Sequence, residues 1–311
     1  MASRTNVKPD TLTFLSKSAS FFHRRTYVSY RRRSRLPVCI NELIFFFKQP
    51  AGGSMSLSLV IIALNEENCI ERCIRSVPFA SEVLVVDSGS SDATAEIAQT
   101  CGARVLHHDF EDYSKQKRWA VQRSSGDWVL SLDADEYLNR ELSGTVKRLL
   151  KGSPEHSGYR LPFRVLYMKR LMRFGPWMGE THLRLFRRNE VRIPEDTVHE
   201  GFTVPGGSTG KLREGYVVHE PYSSLFEQVD KLRKYGDIWA ESQYQGGRGS
   251  GLVNLLFRPA WRFFAGYLLK AGFLEGFPGI TASFMTSFYV YYKWARLREL
   301  TRPMEECGCR S

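Results

Sequence analysis

From residue 57 the chain alternates short, uncharged, β-branched runs with segments of helical period. "LSLVIIA" (Leu57–Ala63) reads as a strand buried on both faces. In "NEENCIERCIRSV" (65–77), Ile70, Cys73, Ile74 and Val77 recur at helical spacing, and Pro78 stops the run. "EVLVVD" (Glu82–Asp87) is a second strand. A turn and cap follow over 88–92, and then a helix that Gly102 ends. "ARVLHH" (103–108) is a third strand, 114–123 a helix, and "WVLSL" (128–132) a fourth strand. Strand and helix alternating over about 80 residues predict a mostly parallel sheet with helices on both faces.

Such sheets bind ligands at the carboxyl ends of their strands, and Asn65, Asp87 and the cluster Asp133-Ala134-Asp135-Glu136 all fall there. Three acids at the end of an apolar run repel one another and are costly to desolvate, so a basic side chain or a metal ion is expected beside them. Asp-x-Asp after a strand suits Mg2+ or Mn2+, which prefer carboxylate oxygens and bridge to ligand phosphates. One aspartate is expected on the metal, the other orienting a ribose or a metal-bound water.

Beyond a helix around 141–151 the pattern changes. Segments 158–170 and 181–193 read as strands, 206–210 as a glycine-rich hairpin turn, "YVVHEPY" (216–222) as a strand and 224–244 as a helix capped by Ser223 or Ser224. Residues 257–300 are aromatic and basic but broken by Lys270, Glu275, Pro278 and several glycines. That suits interfacial helices beside Arg258, Arg262, Lys270 and Lys293 better than a bilayer span. The expected organisation is a basic extension over 1–54, a catalytic domain over 55–222 with its halves at 55–150 and 151–222, a helical region over 223–300 and a tail over 301–311.

Charge sharpens this division. Of the net +11, residues 1–54 carry ten Lys or Arg against Asp10 and Glu42, which leaves about +3 for the remainder. A nearly balanced folded part argues against nucleic acid as a partner. The head is read as a transit peptide, a basic membrane-touching arm, or an extension preceding a true start at Met55. Its "INELIFFFKQP" (40–50) is too short to span a bilayer, which takes about 20 apolar residues. Six cysteines, Cys39, Cys69, Cys73, Cys101, Cys307 and Cys309, show no paired zinc spacing and fit a reducing, cytoplasmic setting.

The stretches "SLVIIALNEENCIERCIRSV", "EVLVVDSGSSDATAEIAQTCGARV" and "GDWVLSLDADEYL" resemble the nucleotide-binding half of glycosyltransferase family 2. The later "HLRLFRR", "VHEGF" and "GFLEGFPG" resemble the branch that adds glucose to the inner core of bacterial lipopolysaccharide. The resemblance implies a Rossmann-like GT-A fold of α/β class. It also implies an inverting, metal-dependent transferase with a UDP-sugar donor and a glycolipid or glycan acceptor, peripheral on the cytoplasmic face of the inner membrane. Carried over, it places Ala63, Asn65 and Glu66 on the nucleotide, Asp87 on the uracil or ribose, and Asp133 and Asp135 at the metal with Asp135 as direct ligand. Lys117 and Arg118 stand where the family has a basic residue followed by Asn, a departure at Arg118, and are assigned to the diphosphate. Glu200, with Asp196 second, is the implied acceptor base; His199 is assigned to the diphosphate or the metal shell, and His219 to support. Two rivals stand beside this reading: a metal-dependent nucleotidyltransferase and a non-catalytic nucleotide-binding membrane adaptor. No GxSxG elbow supports hydrolysis by a serine.

Overall fold

The structure is a computed structural model that describes residues 55–193 and 201–302. Four strands, β1 (Leu57–Ala63), β2 (Glu82–Asp87), β3 (Arg104–His107) and β4 (Trp128–Asp133), run parallel in the order β3-β2-β1-β4. Every residue of β1 is buried, because helices cover both of its faces. On one face Leu57, Leu59 and Ile61 pack against α1 (Ile70–Arg75), α2 (Thr94–Thr100) and α4 (Arg140–Lys151). On the other, Val60 and Ile62 meet Ala120 and Val121 of α3 (Tyr113–Arg123). The period-two and period-3.6 patterns are thus both satisfied by burial.

The sheet then departs from parallel pairing. β8 (Thr181–Arg187) lies antiparallel between β4 and β6 (Gly158–Tyr167). β10 (Val217–His219) runs parallel to β6 and antiparallel to β5 (Glu136–Leu138), which ends the order β4-β8-β6-β10-β5. Two short strands, β7 (Arg170–Leu171) and β9 (Thr209–Lys211), add to β6. The α/β, GT-A-type architecture expected from sequence is therefore present, with a mixed outer half that carries the end of the chain around the acidic rim.

Several expected elements are shorter than their sequence pattern; the strands expected over 158–170 and 216–222 are found as β6 (Gly158–Tyr167) and β10 (Val217–His219). The first helix begins at Ile70, not near residue 65, because Asn65 takes left-handed φ (+56°) and the Glu66 and Glu67 amides turn to the side chains of Thr94 and Asp92. The strand expected over 181–193 ends at Arg187, where Glu190 closes a turn back onto the Arg187 carbonyl. The 224–244 helix is found as α5 (Leu225–Gln245), with the Ser224 hydroxyl accepting from the Glu227 amide. Last come α6 (Leu252–Phe264), a π-helical turn (Ala265–Leu269), a 3-10 turn (Gly272–Glu275) and α7 (Phe277–Thr301). Buried Glu275 ties this region to the sheet: it accepts from Arg170 Nε (2.6 Å) and from the amides of Arg173 (2.7 Å) and Phe174 (3.0 Å). Among the described residues no helix is long and apolar enough to cross a membrane.

Candidate active site

Register brings the predicted acids to one rim. Ala63 pairs with Asp87 and Ile62 with Asp133, so the ends of β1, β2 and β4 lie side by side although about 70 residues separate them in sequence. At the β2 end, Asp87 is buried and accepts from the Gly89 and Ser90 amides (both 3.1 Å), which shapes the turn. Asn65 spans the two neighbouring loops: its amide donates to Ser90 Oγ (2.9 Å) and its Oδ1 accepts from the Ser91 amide (2.8 Å). Asp92 completes the junction by accepting from Thr94 N (3.0 Å) and Glu67 N (3.2 Å). These residues build the walls of a loop cradle, and the Glu66 carboxyl stands beside it.

The positive charge demanded by the acidic cluster comes from two side chains on distant elements. Lys117, projecting from α3, lies 3.1 Å from Asp133 Oδ1. Arg184, from β8, donates to Asp133 Oδ2 (2.9 Å) and to Glu136 Oε1 (2.6 Å). Glu136 also accepts from the Asp133 amide (3.1 Å). Burial works to raise the Asp133 carboxyl, but Lys117 and then Arg184 outweigh it, and Asp133 is held well below the usual carboxylate range. Burial likewise opposes charge on Arg184, whose two carboxylates more than restore it.

Asp135 has a different setting. Its carboxylate Oδ2 lies 3.3 Å from His219 Nε2, and its carbonyl accepts from the Glu220 amide (3.0 Å). Burial disfavours charge on His219, yet the bond to Asp135 prevails and raises it. Glu220 is engaged by Arg72 and by the Tyr137 hydroxyl (3.3 Å), so the second His-Glu dipeptide splits between the site and a supporting ion pair. Glu66 is pushed up to about 7, first by burial and then by the charge of Asp135. The Asp135 charge thus reaches the Glu66 carboxyl, and Lys231 of α5 is the cation near enough to act on both.

The sequence-derived assignments divide accordingly. Ala63, Asn65, Glu66, Asp87, Lys117, Asp133 and Asp135 gather at the rim. Arg118, one position round α3 from Lys117, is turned to the Ile193 carbonyl (3.0 Å). Asp196, His199 and Glu200 lie outside the described residues. Among the described residues no three His, Cys, Asp or Glu side chains form a metal cage. Sequence reasoning gave Arg184 no role, counted Glu136 only as one acid of the cluster and gave His219 only a supporting role. The alternation Leu183-Arg184-Leu185 was visible, but which charge it would meet depended on strand order. The three cysteines described, Cys69, Cys73 and Cys101, are free thiols.

Comparison with known proteins bears on this rim. The profile of Glycosyl transferase family 2 matches residues 58–189, from β1 through β8. The lipopolysaccharide core biosynthesis glycosyltransferase LpsC of Rhizobium meliloti (strain 1021) is 31% identical over 254 residues, 78% of this chain and 94% of that protein. An uncharacterized glycosyltransferase of Rickettsia typhi is 29% identical over 257 residues, covering 79% of this chain and 87% of its own length. Among solved structures, glucosyl-3-phosphoglycerate synthase from Mycobacterium tuberculosis, crystallised with Mn2+, UDP and glucosyl-3-phosphoglycerate, is 27% identical over 36% of this chain and 44% of that one. Its TM-score of 0.29 is too low an overlap to argue from.

Proposed function

This chain belongs to glycosyltransferase family 2, and from that premise we propose that it transfers a sugar, glucose from UDP-glucose, with inversion to a hydroxyl of a lipopolysaccharide core or related surface glycan. The observation that carries the reading is Asp133-x-Asp135 at the carboxyl end of β4, beside a cradle built from the β1 and β2 loops. A relative named for lipopolysaccharide core biosynthesis that aligns over most of both chains supports the acceptor class.

The rim suits a divalent cation held by few protein groups. The Asp135 charge acts on the raised Glu66 carboxyl, a repulsion that Mg2+ or Mn2+ would relieve, and such ions commonly take one or two carboxylates together with substrate phosphates. Asp135 would hold the ion. Asp133, already bound by Lys117 and Arg184, would fix the ribose side. The bound cation would supply Lewis-acid stabilisation of the departing diphosphate. Lys117 adds a fixed positive charge at the same place, in a site sheltered enough for it to count.

UDP titrated calorimetrically into the full chain is therefore expected to bind with Mn2+ and at least ten times more weakly without it. Equal binding with and without Mn2+, or none, would overturn the reading.

The acceptor class also requires a bilayer nearby. Leu256, Phe257 and Trp261 of α6, Leu269 in the π turn, and Phe277 and Phe284 of α7 are each 60–69% exposed. On α6, Phe257 and Trp261 lie four residues apart with Leu256 beside them, while Pro259 faces inward. Arg258, whose guanidinium lies over Trp294 of α7, and Arg262 follow on the same helix, and basic residues beside an apolar face favour an anionic lipid surface. This region is expected to cosediment with vesicles containing phosphatidylglycerol. Replacing Phe257 and Trp261 together by glutamate should reduce the bound fraction about tenfold. Unchanged cosedimentation would remove the membrane from the proposal.

A further inference from the structure

The residue that takes the acceptor's proton should be a carboxylate that is reachable, close to Asp135 and not committed to another partner. The described acids at the rim can be sorted on those terms. Asp133 is taken by Lys117 and Arg184, Glu136 by Arg184, Glu220 by Arg72 and Tyr137, and Asp135 faces His219; Asp87 is closed into its own turn, and Glu66 stands in the loop after β1 on the nucleotide side, under the charge of Lys231. Glu180 remains. It precedes β8 by one residue, and its carbonyl accepts from the Phe163 amide (3.0 Å), so the ladder with β6 continues through it. Alternation up to His182 sets Glu180 and His182 on one face, and Arg184, at the irregularity where the register with β6 shifts, turns to the same side. Ring contacts bear this out for the last two: the Phe163 centroid lies 4.7 Å from the His182 ring and 5.6 Å from the Arg184 guanidinium.

That row starts at the guanidinium bound to Asp133 and runs outward. His219, which holds Asp135, is near enough for its charge to act on the Glu180 carboxyl, as are Lys270 and Arg262 of the C-terminal helical region. Among the described residues the carboxylate itself has no hydrogen-bond or ion-pair partner. Glu180 also borders a cavity of about 470 Å3 lined by Arg164, Arg173, Lys211, Phe174 and Trp177. Aromatic faces suit a sugar ring, and the arginines and lysine suit an acceptor carrying phosphate or carboxylate.

We propose that Glu180 is the catalytic base of the transfer and that the basic, aromatic cavity it borders takes an anionic glycan acceptor. In the step, the acceptor hydroxyl gives its proton to the Glu180 carboxylate as its oxygen attacks the anomeric carbon. The bond from that carbon to the diphosphate oxygen breaks, and UDP leaves with the electron pair. Burial, the largest influence on Glu180, raises its carboxyl, which brings the base nearer to working pH. This assignment rests on the sugar-transfer reading above and replaces Glu200 as the base within it.

The test compares wild type, Glu180→Gln and Glu180→Asp in the full chain. UDP-glucose serves as donor and a core-truncated lipopolysaccharide as acceptor, with UDP binding measured calorimetrically alongside. Glu180→Gln is expected to lose about 10²–10⁴-fold in kcat while UDP affinity stays within about twofold, and Glu180→Asp to recover part of the rate. The sign of the pH effect follows from the base having to be ionised. Wild-type kcat falls as pH drops through the raised Glu180 range, and Glu180→Gln loses that acid limb. Glu180→Gln with near wild-type kcat, or with UDP binding lost alongside activity, would overturn the assignment. A wild-type chain that binds no UDP would instead bring down the sugar-transfer reading, and this assignment with it.

Discussion

Asp135→Ala is expected to cost at least about 10³-fold in transfer and to make UDP binding indifferent to Mn2+. Asp135 is the cluster's acid without a cationic Lys or Arg bound to it; its neighbours are His219 at 3.3 Å and the raised Glu66. Removing it takes away the carboxylate that would meet the cation, while Asp133 keeps Lys117 and Arg184 and the sheet keeps its rim. The chain should therefore stay folded, which a thermal melt would show. A second signature should accompany the loss. With Asp135 gone, one of the causes that raise Glu66 disappears, so Glu66 should titrate lower than about 7 in the variant. Manganese-dependent UDP binding that survives in Asp135→Ala would move the cation elsewhere on the rim.

Arg184→Met is expected to destabilise the protein by about 3–5 kcal/mol, because it strands two buried carboxylates that share one guanidinium. Glu136 is 2% exposed and, apart from Arg184, is held by the amide of Asp133. Lys117 still faces Asp133 after the change, so the larger share of the loss should fall on Glu136. The double variant Arg184→Met with Glu136→Gln should recover part of the stability in urea titration, since a neutral amide needs no counter-charge. Its remaining deficit then reports the Asp133 half of the contact. Equal stability of wild type and Arg184→Met would mean that the buried acids are already protonated at neutral pH.

How much of this was legible in the chain itself can be judged element by element. Apart from Ser58 and Ser131, β1 and β4 as far as Leu132 are apolar and uncharged because both faces are covered, and such runs admit few other readings. Gly102, Pro78 and Ser224 punctuated the helices as their backbone chemistry requires. The acids Asp133 and Asp135 advertised themselves by standing where burial ends, and a positive partner was predicted for them on cost alone. The start of α1 was not legible, because Asn65 turns left-handed to reach Ser90 and Ser91, a tertiary contact that helical periodicity does not encode.

By itself, then, the sequence determined the four parallel strands, which ends of them carry charge and which family's chemistry they serve, since hydrophobic period and local turn chemistry act over a few residues; the short β5, β7 and β9 exist only by pairing with distant strands. Tertiary structure alone decided who meets whom. It chose Arg184, 51 positions on from Asp133, as the counter-charge and His219 as the neighbour of Asp135. That choice comes from inserting antiparallel β8 beside β4 and bending β10 back to β5. Strand order is settled by how the whole sheet buries its two faces, and no local pattern along the chain carries that information.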